Sequence, residues 1–237
     1  MYRRISNDQI KKLLKKCLLN NLIEFDTSPS YKKADKILLN FKKKNPKILI
    51  NTKCGWDLNM NRTYDIDEIK KGIENTIEKF GKINVLQLHN PRNEIKNWDL
   101  IVEMFNYYKK KKLIKYSGIS LARNYYFSTK VLNSFDFIQD EFNLLRIDPI
   151  KKISAYKNIL AARSIFANGI LTDGFNKKTT YIYDNVLFEE LLGDNVRPSI
   201  KKNFYLVNYK LLDLKKMIVK NTIENPGLKP LYISNYY

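Results

Sequence analysis

Short apolar runs recur along this chain with longer amphipathic stretches between them, and that alternation limits the possible folds more than any other feature. The runs are "LIEF" (22–25), "KILIN" (47–51), "NVLQL" (84–88), "IKYSGIS" (114–120), "DFIQDEF" (136–142), "NILAARS" (158–164) and "PLYIS" (230–234). Each has the length of a strand. Between them, "YKKADKILLNFKKK" sets apolar residues at 34, 37, 38 and 41. The stretch around "DEIKKGIENTIEKF" sets them at 66, 69, 73, 77 and 80, and "WDLIVEMFNYYKKKK" repeats the pattern. These spacings place the apolar residues on one helical face. Asp65 or Asp67 is suited to cap the second of these helices, and Asn97 the third.

Strand and helix alternating every 30 residues or so predict parallel strands covered by helices. No Gly/Pro/Ser-rich linker, composition break or low-complexity tract interrupts the pattern, so residues 1–237 are read as one domain. A doubly wound sheet would carry a glycine-rich phosphate turn after its first strand. Neither G-x-G-x-x-G nor G-x-x-x-x-G-K-[ST] occurs. The expected architecture is therefore α/β, a (β/α)8 TIM-type barrel.

Composition narrows the setting. An apolar content of 44% belongs to a folded chain. No stretch approaches the roughly 20 apolar residues of a membrane span, and "MYRRISNDQIKKLLKKCLLNN" reads as an amphipathic helix rather than a signal peptide. Two cysteines, Cys17 and Cys54, make neither a disulfide framework nor a metal cluster, so a reduced, cytoplasmic protein without metal is expected. The formal charge of +19 raises the question of a polyanionic partner. The surplus is mostly lysine, in a chain also rich in asparagine and isoleucine, residues that AT-rich genes encode. The runs at Lys42–Lys44 and Lys109–Lys112 follow helices, where cations suit the helix dipole. Lysine and tyrosine interleave in "NYYKKKKLIKY", a pattern that could contact phosphates and stack bases. It reads instead as a helix end entering a buried strand, so nucleic acid is not the expected partner.

The residues at the ends of the runs carry the chemistry. "LIEF" leads into Asp26, "KILIN" into Thr52 and Lys53, "NVLQL" into His89, and "IKYSGIS" closes on Ser120. The fifth run contains Gln139, and the sixth ends in Arg163 and Ser164. In a (β/α)8 barrel the carboxyl ends of all strands point to one face, where active sites lie. Taken singly, Asp26 is a turn residue, Tyr31 a packed aromatic, Lys53 one lysine among many and His89 a structural histidine; Cys54 packs in its strand. Together the first four make a working set. A free phenol, with a pKa of about 10, is a poor acid at neutral pH, and an adjacent ammonium lowers it. A carboxylate holds that ammonium charged, and an imidazole orients a carbonyl oxygen beside the phenol.

In these segments the chain resembles the aldo-keto reductases. "FDTSPSY" resembles that family's "DTAxxYG", with Lys32 in place of the glycine. "INTKCGW" resembles its third-strand "TK", "VLQLHNP" its "LxxHxP" and "YSGIS" its "GVS". "FIQDEFNLL" resembles "xxQxExN", and "ARSIFANGILTDGF" resembles "SPLxxGLLTGK". The order is preserved from about residue 20 to 175. The resemblance implies a catalytic tetrad of Asp26, Tyr31, Lys53 and His89, with Tyr31 as general acid and His89 orienting the carbonyl. It implies NADPH or NADH as cofactor, with Ser120 and Gln139 near the nicotinamide amide and Arg163 stacking on its ring, followed by Ser164. The "ARSIF" form is similar to members found with sugar-nucleotide and surface-glycan enzymes, which implies a small, sugar-like carbonyl substrate.

Three departures accompany it. Leu121 stands where an asparagine often follows the fifth-strand serine. The chain opens at what should be the first covering helix, and it closes at "PLYISNYY", before the family's final helix and phosphate-gripping basic residues. A barrel short of a strand leaves edges near 22–26 and 230–234, which another segment, a partner or a second copy would cover unless the barrel stays open. The segment 176–207, with "TTYIYDNVLF" and "NFYLVNY", is a candidate cover. An aldo-keto-reductase-like binding or regulatory protein without catalysis is the alternative to the enzyme.

Overall fold

The structure, a computed structural model, describes residues 6–31, 33–92, 94–122, 127–143 and 158–165. Contacts divide the chain into two units. One comprises Arg4–Arg163 with Asn235–Tyr237. The other comprises Met1–Arg3 with Ser164–Ser234, of which Ser164 and Ile165 are described. The run at 230–234, the segment 176–207, Lys32 and the stretch from Phe166 onward lie outside the described residues.

The larger unit alternates helix and strand. Helix α1 (Asn7–Leu19) starts on a reciprocal cap, in which Gln9 N donates to Ser6 Oγ and Ser6 N donates to Gln9 Oε1. Then follow β1 (Glu24–Asp26), a single 3-10 turn (Pro29–Tyr31), α2 (Lys33–Lys44) and β2 (Leu49–Cys54). Next come α3 (Ile66–Phe80), β3 (Ile83–His89), α4 (Trp98–Lys110) and β4 (Ile114–Ser120). A short α5 (Thr129–Asn133), β5 (Phe137–Glu141) and β6 (Ile159–Arg163) complete the described part. The six strands lie parallel in chain order, β1-β2-β3-β4-β5-β6. Each of the first six apolar runs coincides with one of them. Among the described residues β1 pairs with β2 alone.

Period-2 alternation splits the strands into two faces. Ile50 and Cys54 of β2, Leu86 and Leu88 of β3, Ile119 of β4 and Ile138 of β5 join one core with Ile69, Ile73, Ile101 and Phe105 of the covering helices. On the other face the same strands carry Asn51, Lys53, Gln87, His89, Ser120 and Gln139, all buried. A buried polar face opposite a helix-covered apolar face is the interior of a barrel wall.

The curvature follows from one contact. Strands β1 and β5 are four spacings apart, which in a flat sheet would be about 19 Å. Gln139 Nε2 of β5 nonetheless lies 3.4 Å from Asp26 Oδ1 of β1. Six parallel strands therefore curl into a partial (β/α)8 barrel, as expected.

Helix ends show how the sequence sets boundaries. Asp65 is the cap of α3, with its side chain accepting from Glu68 N at 3.0 Å, while Asp67 lies in the first turn. Asn97 precedes α4 but makes no side-chain cap bond, because its backbone (φ −97°, ψ 48°) departs from the extended conformation that aims a capping oxygen at the helix. None of the described helices is long and apolar enough to cross a membrane.

Candidate active site

The site begins with Asp26, the last residue of β1. Its Oδ2 accepts from Lys53 Nζ, and its Oδ1 accepts from Gln87 Nε2 at 3.0 Å. Lys53, on the neighbouring β2, is only 1% exposed and also donates to Thr27 O at 2.9 Å. Burial pushes the Lys53 ammonium below its ordinary pKa, and Asp26 opposes that shift. Taking a charged pair out of water is costly unless both partners are well hydrogen-bonded. Here the carboxylate has three amine or amide donors around it, counting Gln139.

Tyr31 is carried by the 3-10 turn after β1. That turn is held by Ser28, whose carbonyl accepts from Tyr31 N at 2.9 Å. The Tyr31 ring lies 5.3 Å from Lys53 Nζ and meets the His89 ring edge-on, with centroids 6.1 Å apart and planes at 89°. His89 closes β3. Its Nδ1 accepts from Trp56 Nε1 at 3.2 Å and lies 3.4 Å from Ser28 Oγ. Burial, and then the positive charges of Lys53, Arg62 and Arg163, lower its pKa to about 3, so the imidazole is neutral at physiological pH. The four residues named from the sequence thus lie close together, delivered by three adjacent strands and the turn after the first of them.

On the far side, Ser120 at the end of β4 donates from Oγ to Gln139 Oε1 at 2.9 Å. This pair offers a complementary set. The hydroxyl retains acceptor capacity, and the Gln139 amide, engaged at 3.4 Å, retains a donor hydrogen. A carboxamide needs that combination, so the donor set fits a nicotinamide amide. Arg163, at the end of β6, donates from Nη2 to Leu121 O at 3.0 Å, so the backbone at the leucine departure is held by an arginine. Ser164 has a positive φ of 53° just after β6 and belongs to the second unit.

Three neighbours of the site had no role in the sequence reading. Gln87 shares the polar face of β3 with His89, two positions before it, and was legible only as one polar residue inside an apolar run. Gly118, its register partner on β4, makes room for it: a Cβ there would lie 2.9 Å from Gln87 Cγ. Trp56 and Arg62 lie in the loop after β2 and touch His89 from behind. Cys54 packs in its strand as expected, and burial pushes its thiol pKa up, away from reactivity.

The parallel barrel wall thus carries a lysine–aspartate pair and a histidine at its strand ends, with a tyrosine in the turn after β1. The aldo/keto reductase family model matches residues 1–213, and the chain belongs to that family of oxidoreductase enzymes. Among solved structures it is similar to the glycerol dehydrogenase of Gluconobacter oxydans (20% identity, TM-score 0.69), covering 92% of this chain and 71% of that one. It is also similar to an aldo-keto reductase of Bacillus halodurans in its apo form (19% identity, TM-score 0.57), covering 74% of this chain and 61% of that one. These identities speak to the fold. A comparison with curated protein sequences gave no significant match.

Proposed function

We propose that this protein reduces a small carbonyl compound at the rim formed by β1, β2 and β3, with Tyr31 as the general acid. The observation that carries this reading is the position of the Tyr31 ring, against both the buried Lys53 ammonium and the His89 imidazole. A reduced nicotinamide, when bound, supplies the hydride. The chain's own residues do the rest. Ser120 and Gln139 hold the carboxamide and so orient the ring. His89 directs the carbonyl oxygen toward the phenol. Tyr31 gives its hydroxyl proton to that oxygen, and the Lys53 ammonium stabilises the phenolate left behind. Asp26 holds Lys53 charged in a place where burial alone would favour the neutral amine. Arg163, as a planar cation at the end of β6, is suited to stack on the nicotinamide of NADPH or NADH. A polyol-derived or sugar-like aldehyde suits a site with several buried hydrogen-bonding groups.

Titrating NADPH by its fluorescence, then measuring turnover on a panel of polyol-derived aldehydes, tests the assignment. Tyr31→Phe is expected to lower turnover by roughly 10²–10⁴-fold, the usual worth of a positioned proton donor, and to leave cofactor affinity unchanged. Retained turnover in that variant would show that another group supplies the proton.

A further inference from the structure

The loop from Gly55 to Tyr64 is built more tightly than its exposed sequence requires. Asp57 and Asn61 close it: Asp57 N donates to Asn61 O at 2.9 Å, and Asn61 N and Nδ2 donate back to the Asp57 carboxylate at 2.7 and 3.0 Å. Thr63 N donates to Gly55 O at 3.1 Å. Within this frame Trp56 and Arg62 pair as an antiparallel bridge, and the Arg62 guanidinium lies 4.8 Å from the Trp56 ring centroid. The loop is pressed onto α3 at Gly72, where a Cβ would come within 2.8 Å of Trp56 O.

Both side chains lead to His89. Arg62 Nη1 donates to His89 O at 2.9 Å and to Asn90 O at 2.6 Å, tying down the backbone at the end of β3. Asn90 has a φ of 46°, in the left-handed region that asparagine adopts more readily than other non-glycine residues. Trp56 Nε1 points at His89 Nδ1, 3.2 Å away. An indole N–H can only donate. The nitrogen it meets must therefore present a lone pair, and in a neutral imidazole the hydrogen then resides on Nε2. Ser28 Oγ, 3.4 Å from the same Nδ1, is compatible because a hydroxyl can donate.

We infer that Trp56 and Arg62 are positioning residues that hold His89 in its Nε2–H tautomer, so that the hydrogen available to a carbonyl oxygen is the one on Nε2. The claim builds on the proposed reduction, since only a carbonyl ligand uses that hydrogen, yet the tautomer itself exists without substrate. The ring's low basicity agrees with it: a buried imidazole, with Lys53, Arg62 and Arg163 around it, stays neutral, so a fixed tautomer is a meaningful property. Among the described residues Nε2 makes no hydrogen bond, which leaves it for a ligand.

His89 is the only histidine in the chain, so one resonance pair reports on the claim without assignment. Long-range nitrogen–proton correlation spectra of ¹⁵N-histidine-labelled protein, free of cofactor and substrate, are expected to show a pyridine-like Nδ1 and a pyrrole-like Nε2 at neutral pH. Trp56→Phe, which keeps an aromatic slab and removes the N–H, is expected to mix the two tautomers. In the presence of NADPH and aldehyde it should lower turnover roughly 10–100-fold, the size of effect seen when a metal-bound imidazole loses its orienting partner. Arg62→Lys, which keeps the charge but not the stacked plane, should give the same direction at smaller size. An Nδ1–H ring in the unmutated protein, or a spectrum unmoved by Trp56→Phe, overturns the inference, and the first of these needs no variant to fold. A spectrum as expected, combined with full turnover in Tyr31→Phe, would leave the tautomer standing and remove the catalytic reading instead.

Discussion

Two lysine–aspartate pairs, each joining residues 27 apart in the sequence, sit at opposite ends of the barrel wall and behave as opposites. Lys53 and Asp26 lie at the carboxyl ends of β2 and β1, with side chains 1% and 7% exposed. Lys109, in the last turn of α4, meets Asp136 just before β5, and these side chains are 31% and 33% exposed. At the outer pair, water still solvates both charges. Burial alone would raise the Asp136 carboxyl pKa, but Lys109 and the Ser117 N–H and hydroxyl, each 2.9 Å away, hold it below the ordinary value. At the inner pair there is little water, and neighbouring side chains must supply what solvent would. An outer pair of this kind pins a helix end to a strand start. The inner pair sets a buried amine beside the Tyr31 ring, with Asp26 opposing the effect of burial; in the proposed reduction that placement is the reason for the fold to bear the desolvation cost.

The sharpest way to break this contrast is Lys53→Met. It leaves Asp26 buried with only amide donors, and loss of one partner of a buried pair costs on the order of 3–5 kcal/mol. Urea unfolding should report that loss, and adding Asp26→Asn should restore part of it. A loss under 1 kcal/mol would mean that the inner pair is no more committed than the outer one.

Gly118→Ala probes the support of the inner pair without touching either charge. The added methyl would lie 2.9 Å from Gln87 Cγ and 3.3 Å from Phe137 Cβ, between two strands that cannot separate. Overpacking of this kind costs about 1–3 kcal/mol. It should also displace Gln87 from Asp26 and lower turnover with stability held comparable by temperature. Stability measured by thermal unfolding and turnover measured at matched folded fraction separate the two effects.

The inner region also predicts a pH dependence. His89 has a folded pKa of about 3, below its ordinary value of 6.5. Between those values the unfolded chain takes up a proton that the folded chain refuses, so stability rises with pH across that window and is lost as pH falls below about 6.5. For this one group the loss from pH 7 to pH 5 is about 2 kcal/mol. Comparing urea midpoints at those two pH values for the unmutated protein and His89→Gln isolates it. An equal pH effect in both would show that His89 titrates normally in the folded protein.

What was legible in the sequence, and what was not, follows the same division. The strands were readable because burial on both sides of a parallel sheet writes a run of apolar residues, and six such runs became β1 to β6. Asp65 was readable as a cap because capping is local. Asp26, Lys53 and His89 were readable as strand-end residues because the barrel brings all carboxyl ends together. Gln87 was hidden because its partner, Asp26, is two strands away and 61 positions earlier. Trp56 and Arg62 were hidden for a related reason. Their partner is a histidine on β3, and only the closed loop between Asp57 and Asn61 turns both toward it. Asn97 has the right residue type for a cap and the wrong backbone. Periodicity reports which face a residue is on; it carries no information on what the curled sheet will bring across from it.

The smallest expected effect is at the outer pair, and it sets the scale for the others. Lys109→Met removes a partly exposed ammonium from Asp136, whose Oδ2 keeps both Ser117 donors. Exposed and half-exposed pairs are worth up to about 1 kcal/mol, less in salt. The change should therefore fall below that figure by urea unfolding, shrink further at high ionic strength, and leave turnover intact, since neither residue approaches the rim at β1–β3. A loss as large as that of Lys53→Met would mean that the Asp136 network is as closed to solvent as the Asp26 network. The contrast between a solvated staple and a desolvated pair would then have no basis in energy.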